Sequence, residues 1–404
     1  MSGAILVINA GSSSIKFALF EYAPGQAAAP GVARQPLFSG QIDGIGSGTA
    51  RFTARDASGR EITDDPLDHA PQDAAGQHRH ALDCLLGWLD AHDDGIALRA
   101  VGHRVVHGAE KYAQPVLLDA TIRADLARFI PLAPLHQPHN LDAIRAIAEL
   151  QPTLPQVACF DTAFHRSQPP LAQMFALPRA ISAQGVRRYG FHGLSYEYIA
   201  EVLPEHLDEA QANGRVIVAH LGNGASMCAM QGRRSIATTM GFTALDGLMM
   251  GTRTGNLDPG VLLYLMEYQG MDTKALTRLL YKESGLLGVS GISQDMRVLL
   301  DSPQPEAQEA IELFCYRIVR EIGSLAAALG GLDTLVFTGG IGEHAAAVRQ
   351  RICEGSRWLG IELDQGANSV HATCISTATA KVKLLVLPTN EEWMIARHTA
   401  ALLQ

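Results

Sequence analysis

Apolar and polar positions along the chain follow two rhythms that alternate from one end to the other. Short runs rich in aliphatic and β-branched residues, ILVIN, IKFALF, VIVAHL, LVFTGG and LLVLP, read as strands. Between them lie helical stretches, which together make the pattern of an α/β protein. The clearest helix spans about 304 to 330, where Ile311, Phe314, Ile318, Ile322, Leu325 and Leu329 advance by three or four residues and Gly330-Gly331 supplies the stop. A strand from Leu335 to Thr338 follows at once. Residues 23 to 36 and 41 to 77 are rich in Gly, Pro, Ala, Asp and Ser with weak periodicity, so they read as surface loops and edge hairpins. ILVINAGSSSIKFALF near the start is echoed by VIVAHLGNGASMCAM at 216 to 230, each a strand, a small-residue turn and a strand. One such hairpin in each half is what a duplicated nucleotide-binding fold would carry.

Length and composition narrow the classes. At 404 residues the chain is long enough for two domains, each with a core of its own. Its 47% apolar and 18% charged residues are those of an ordinary globular protein, and no window is long and apolar enough to span a bilayer, so no membrane partner is expected. The opening MSGAILVINAGSSSIKF has no basic stretch before its apolar run and no small-residue cleavage site after it. No signal peptide is expected, and a cytoplasmic location is. Six scattered cysteines, with no CxxC pair, give neither a disulfide framework nor a zinc site. A formal charge of −9 and a pI near 5.9 exclude nucleic acid as the main partner. Any anionic ligand must be met by a few locally placed cations.

Several segments have the chemistry to meet one. Asn9-Ala10-Gly11-Ser12-Ser13-Ser14 forms a turn whose small side chains leave N–H groups and hydroxyls free to face a phosphate, with Lys16 two residues into the next strand. An ordinary serine-rich hairpin has the same composition, and neither a G-x-G-x-x-G fingerprint nor a Walker loop is present. His220-Leu221-Gly222-Asn223-Gly224 and Gly339-Gly340-Ile341-Gly342-Glu343 are two further glycine turns after strand-like runs. Three such turns point to a nucleotide held by backbone groups. Val101 to Gly108 reads as a strand whose alternation puts Arg104 and Val106 on one face and His103, Val105 and His107 on the other. A guanidinium fork beside an apolar wall suits a short carboxylic acid, although a structural ion pair would also account for Arg104. His103, His107, His136 and His139 lack the carboxylate or cysteine that would complete a metal site at recognisable spacing. Hydrogen bonding to a transferring phosphoryl group explains such histidines better, and His192 in Arg188 to Gly193 is the leading candidate. Asp161 lies in a strand-like segment, Arg253 in the glycine-flanked loop Met250 to Gly255, and both can reach into a cleft. Asn390 and Glu391 open the last helix as cap and first-turn acid, with Mg2+ ligation as the sharper alternative for the acid.

VINAGSSSIKF, VGHRVVHG, APLHQPHN, FDTAFH, RYGFHG, HLGNG, MGTRTG, Asp295-Met296-Arg297, FTGGIGE and TNEE follow one another in this order from about residue 4 to 398. In this the chain closely resembles the acetate kinase family. The resemblance implies the α/β fold of the acetate and sugar kinase, Hsp70 and actin superfamily: duplicated ribonuclease H-like (actin-like ATPase) domains with a nucleotide cleft between them. On it, residues 1 to 162 plus 389 to 404 form the first lobe and 163 to 388 the second, and a homodimer is expected. Carried over by motif, Asn9 and Glu391 organise Mg2+, for which Mn2+ can substitute. Lys16, residues 220 to 224, Asp295 to Arg297 and residues 339 to 343 hold ATP or ADP. Arg104 binds the carboxylate, His136 lies in the substrate site, and Val106, Leu135 and Phe191 line the acyl pocket. His192 and Arg253 stabilise the transferring phosphoryl group, and Asp161 is the catalytic acid. The family usually shows proline in the stretch 241 to 247, where Ala244 stands here; a smaller residue would widen the pocket towards propionate, while Val106 favours acetate.

The expected reaction is the reversible transfer of the ATP γ-phosphoryl group to acetate, giving acetyl phosphate and ADP by in-line attack without a covalent enzyme intermediate. Acetate is already ionised near neutral pH, so Asp161 has no base to be; orienting Arg104 or a metal-bound water suits it better. A nucleotide-gated binding protein on the same fold would keep the glycine turns without needing Arg104, His192 and Arg253. A sugar or glycerol kinase would want a carboxylate base and polar groups around a hydroxyl.

Overall fold

The structure, a computed structural model, describes residues 3–25, 31–47, 49–67, 74–92 and 95–403. The chain divides into two compact units, 1–163 with 390–404, and 164–389, each boundary one residue later than expected. In the first unit the strands are β1 (Gly3–Ala10), β2 (Ser14–Tyr22), β3 (Phe38–Asp43), β4 (Arg51–Asp56), β5 (Glu61–Pro66), β6 (Leu98–Val105), β7 (Val116–Leu117) and β8 (Gln156–Phe160). They form one sheet in the order β5-β4-β3-β2-β1-β6-β8-β7. β1 is apolar almost throughout because both of its faces are covered. Leu6 and Ile8, with Phe17 and Leu19 of β2, share a core with Leu82 and Leu85 of the helix Ala74–His92 and with Ala143 and Ile147 of the helix Gln137–Leu150. The helix Glu391–Ala401 packs on β1, β2 and β6. Its approach requires a glycine, since a Cβ on Gly102 would stand 2.4 Å from Thr399 Oγ1 and 2.6 Å from an Ile395 methyl. Within the segment 41 to 77 lie the end of β3 and the edge strands β4 and β5 that its turn-rich composition indicated, whereas 74 to 77 open the helix Ala74–His92; residues 48 and 68 to 73, like 26 to 30 of the stretch 23 to 36, lie outside the described residues.

The second unit holds β9 (Arg215–Leu221), β10 (Ala225–Gln231), β11 (Arg234–Thr238), β12 (Thr334–Thr338) and β13 (Lys383–Val386), in the order β11-β10-β9-β12-β13. β10 is antiparallel to β9 and to β11, whereas β9, β12 and β13 run parallel. In the first unit β3-β2-β1-β6-β8 repeats both this order and these directions. The two echoed hairpins, β1–β2 and β9–β10, occupy the same place in each. This repeated arrangement is the duplicated ribonuclease H-like, actin-like fold. The helix Pro305–Leu329 lies on β9, β10 and β11 and ends at Gly330 in a left-handed conformation, φ 70°. Buried residues on it include all six apolar positions that mark its periodicity.

Two local expectations are corrected. The strand anticipated over 101 to 108 stops at Val105, where its last pairing, with Phe160, ends. Val106 therefore does not share a face with Arg104 through the pleat. Residues 339 to 343 are not a free turn but the start of a short helix, Gly339–His344, in which the Glu343 carboxylate accepts a hydrogen bond from the Gly339 amide at 2.9 Å.

Candidate functional site

In the first unit the ends of neighbouring strands carry the charge. Asn9 lies near the end of β1, Arg104 near the end of β6, and Asp161 follows β8, so all three emerge at the carboxyl ends of parallel strands, where α/β sheets gather ligand-binding groups. Arg104 donates from Nε to Asp161 Oδ1 at 3.0 Å and from a terminal nitrogen to Oδ2 at 2.5 Å; its other terminal nitrogen lies 3.4 Å from Asn9 Oδ1. Glu391 Oε2 stands 3.6 Å from Arg104 Nε. The Asp161 side chain is 2% exposed and that of Arg104 21%, so the pair is shielded while one side of the guanidinium reaches solvent. Burial opposes the Arg104 charge, but the Asp161 and Glu391 carboxylates outweigh it and hold the guanidinium more firmly protonated than usual. Burial raises the Glu391 carboxyl above its ordinary range; Arg104 opposes that rise and Glu392 adds to it. The Asn390 side chain caps the same helix by accepting from the Trp393 amide at 2.9 Å.

Around this ion cluster stand the remaining candidates of the first unit. Val106 is buried, its N–H bonded to Asn140 Oδ1 at 3.1 Å. Leu135 and His136 are half-buried just before the helix Gln137–Leu150, with His136 at its N-cap. Lys16 pairs with Asn9 across β1–β2 and lines a cavity of about 510 Å³ with Gln41, Arg55, Asn390 and Glu392. The serine turn is latched by His78, whose Nε2 lies 2.9 Å from the Gly11 carbonyl oxygen. Burial lowers His103 and His107 to a pKa of about 4, so both are neutral near pH 7. Among the described residues no group of three or more His, Cys, Asp or Glu could hold a metal.

In the second unit the structure brings His192, Arg253 and the 220 to 224 turn together. His192 has a left-handed backbone, φ 57° and ψ 26°, at the start of the helix Gly193–Val202. It follows Gly190, where a Cβ would meet the His165 ring at 2.6 Å. A non-glycine residue in this region costs on the order of 1–3 kcal/mol and persists where surroundings impose it. Its Nδ1 lies 2.8 Å from Ser226 Oγ, itself 2.5 Å from the Tyr196 hydroxyl, and its ring stacks on His220 with centroids 4.5 Å apart. A side chain at Gly224 would stand 3.4 Å from His192 Nε2 and 3.9 Å from an Arg253 guanidinium nitrogen, so the hairpin, His192 and Arg253 adjoin one another. Arg253 donates to the Ala244 carbonyl at 2.9 Å. Phe191 is buried, its carbonyl 2.9 Å from His165 Nε2. Val106 and Leu135 thus lie in one unit and Phe191 in the other.

Three separate sequence motifs line one cavity of about 410 Å³ in this unit: Gly222 and Asn223, Asp295 to Arg297, and Gly340 and Ile341. Gly339, Gly342 and Glu343 form the helix turn behind it, and His220, Leu221 and Gly224 the hairpin beside it. Asn223 is accommodated by Gly251, whose Cβ would fall 1.9 Å from Asn223 Oδ1. Asp295 caps the helix Met296–Leu300 and pairs with Arg297, whose side chain is exposed. With Leu300 and Ala345 beside Met296 and Ile341, the cavity combines an apolar wall with backbone and charged donors.

The pattern of the Acetokinase family matches residues 4–397. The chain belongs to that family. An acetate kinase from Rhodopseudomonas palustris (strain ATCC BAA-98 / CGA009) is 56% identical over 98% of both chains. One from Methylocella silvestris is 50% identical over 100% of this chain and 98% of its own. Among solved structures, a propionate kinase from Francisella tularensis is 36% identical with a TM-score of 0.88 over 98% of each chain, and Porphyromonas gingivalis acetate kinase is also 36% identical, with 0.85 over 100% of each.

Several members of the site escaped the motif reading. Ser226 and Tyr196 carry no signal apart from position after a glycine turn or on an apolar helix. Arg349 is fully buried with neutral acceptors, the carbonyls of Gly342, Glu343 and Asn368 and the Asn368 Oδ1, which ties the short glycine helix to the helix Gln365–Ser369. Arg349 lies well beyond the end of β12 at Thr338, and nothing local marks its burial. Gln294, Leu300, His344 and Ala345 of the cavity were likewise unmarked.

Proposed function

We propose that the protein transfers the γ-phosphoryl group of ATP to acetate, reversibly, giving acetyl phosphate and ADP. The observation that carries this reading is Arg104, a firmly protonated guanidinium oriented through both oxygens of Asp161, with Val106 two residues on. A partly open cation at the end of a strand receives a short carboxylate; a sugar hydroxyl would need a free base, and both oxygens of Asp161 are bonded to Arg104. Arg104 binds and orients the acid, with Val106, Leu135 and Phe191 as the acyl wall and His136 nearby. His192 and Arg253 donate to the equatorial oxygens of the transferring phosphoryl group, and Ser226 fixes the His192 ring. Lys16, residues 220 to 224, 295 to 297 and 339 to 343 hold the nucleotide. Asp161 acts by orienting Arg104 rather than as an acid.

Mg2+ fits the residues present. Glu391 Oε2 and Asn9 Oδ1 stand 3.6 Å and 3.4 Å from the same guanidinium, oxygen donors of the kind Mg2+ takes, and a divalent cation would offset the desolvation that raises Glu391. Mg2+ is usually held by one or two carboxylates plus substrate phosphates, so Glu391 and Asn9 suffice from the protein, with Mn2+ as a substitute. When bound, the ion supplies neutralisation of phosphate charge. Two copies of the chain pair as a homodimer in this reading, supported by the helix Pro259–Gln269, which has no buried residue although it carries Val261, Leu263, Tyr264, Met266 and Tyr268. Among the described residues no helix is long and apolar enough to cross a membrane, and the reliance on ATP fits the cytoplasm.

Propionate is the second acceptor to consider, because a propionate kinase is as similar in sequence as an acetate kinase among the solved structures. The more similar relatives, at 50–56% identity, are named acetate kinases, which favours acetate. Trapping acyl phosphate as hydroxamate with ATP and Mg2+ decides: acetate is expected to exceed propionate and butyrate in kcat/KM, and equal use of propionate would make this a broader short-chain acyl kinase.

A further inference from the structure

Beyond Val105, β6 has no strand to pair with, yet the chain stays buried through Gly108, so its amides need partners. Side chains provide them. Val106 N–H donates to Asn140 Oδ1 at 3.1 Å, His107 N–H to Gln137 Oε1 at 3.2 Å, and Gly108 N–H to Thr162 Oγ1 at 3.2 Å. Gln137 also donates to the His107 carbonyl at 3.2 Å and the Leu126 carbonyl at 3.3 Å. Asn140, one helical turn later and also buried, uses its other end differently: Nδ2 donates to the Ala10 carbonyl at 2.8 Å. Its orientation is fixed, because the oxygen faces an N–H and the nitrogen a C=O. Packing alone would not require an amide, and Leu141, Ala143, Ile144 and Ile147 serve that purpose on the same helix.

We propose that Asn140 is a positioning residue that joins the metal-side end of β1, at Asn9-Ala10, to the carboxylate-side end of β6, at Arg104 to Val106, while Gln137 holds only the acyl side. One buried amide thereby sets the spacing between the Asn9 oxygen and the Arg104 guanidinium, already 3.4 Å apart. This rests on the acyl kinase reading for what the two sides bind.

The test compares Asn140→Leu, Gln137→Leu and wild type by two readouts: the Kd for Mn2+ in the presence of ADP, measured by electron paramagnetic resonance, and the KM for acetate by hydroxamate trapping. Asn140→Leu is expected to raise both at least fivefold. Gln137→Leu should raise the acetate KM alone. If Asn140→Leu fails to fold, Asn140→Asp keeps the acceptor for Val106 and loses the donor to Ala10, and should weaken Mn2+ binding by at least fivefold with the acetate KM within twofold of wild type. A loss of melting temperature in the Asn140 variants with unchanged Mn2+ affinity, or equal effects of both positions on Mn2+, overturns the proposal. Should the wild type make no acyl phosphate, the functional reading falls separately, and the Mn2+ arm still decides whether Asn140 positions the end of β1.

Discussion

Asp161 gives both carboxylate oxygens to Arg104, so its substitution should be felt as lost orientation and not as a lost proton. Asp161→Asn removes the charge and one acceptor, and a charge-assisted bond of this kind contributes about 1.5–3 kcal/mol, so kcat/KM for acetate is expected to fall about ten- to a hundredfold. The pH–rate profile should keep both limbs; disappearance of one limb would instead make Asp161 an acid or base. Ser226 stands between Tyr196 and His192 Nδ1, and Ser226→Ala should lower kcat with little change in either KM, because the His192 ring is freed while ground-state binding groups remain. An unchanged kcat would remove Ser226 from the site. Residues proposed to touch substrate stood out along the chain because their chemistry is rare, an arginine beside valine or a histidine among glycines. Those that hold them were not: Asn140, Ser226 and Arg349 act across gaps of 34 residues, 34 residues and 19 residues, which no local spacing reveals.

The glycine segments resolve into different devices. At 224 glycine stands beside His192, at 251 it makes room for Asn223, and at 339 it begins a helix. From sequence 220 to 224 and 339 to 343 read as turns after strands and 250 to 255 as a glycine-flanked loop; whether the chain after a strand forms a hairpin or a helix depends on a partner strand, which is a tertiary matter. The strand cores themselves were readable because parallel strands buried on both faces are continuously apolar. Val106 was misplaced on a face because the end of pairing is decided by β8 and not by Val106. Gly251→Ala would drive a methyl into Asn223, which lines the cavity proposed for the nucleotide. The expected result is a rise of about tenfold in the KM for ATP with the KM for acetate unchanged, since adjusting a tightly packed site costs about 1–3 kcal/mol. Equal changes in both would mean that the loop disturbs more than the nucleotide.

At the scale of the whole molecule, stability against pH rests on buried histidines that lie inside the motifs, and the proposed self-association on an apolar helix outside them. His103, His107 and His165 are neutral and buried, each with a pKa of about 4, lowered by desolvation from 6.5. The unfolded chain binds protons at these sites first, so stability is full above about pH 6.5 and is lost as pH falls towards 4. Thermal melts between pH 7 and 4.5 should show this loss, and His165→Gln, which removes one of the three sites, should flatten it; a melting temperature independent of pH across that window would contradict the assignment. Charging an unburied apolar helix should separate copies: Leu263→Asp with Tyr268→Asp, at positions 60% and 74% exposed, is expected to give a monomer by light scattering where the wild type gives a dimer.

The close fit at Gly102 also has a consequence in time. Glu391 belongs to a helix that completes the first unit, yet all of residues 164 to 389 is synthesised before it. On the ribosome the first sheet must wait, with the face beside Gly102 bare, while the second unit emerges and can fold as a body of its own. The acid proposed to meet the metal is therefore among the last groups made, and a chain cut short before residue 390 would lack that acid while keeping every residue that lines the cavity proposed for the nucleotide.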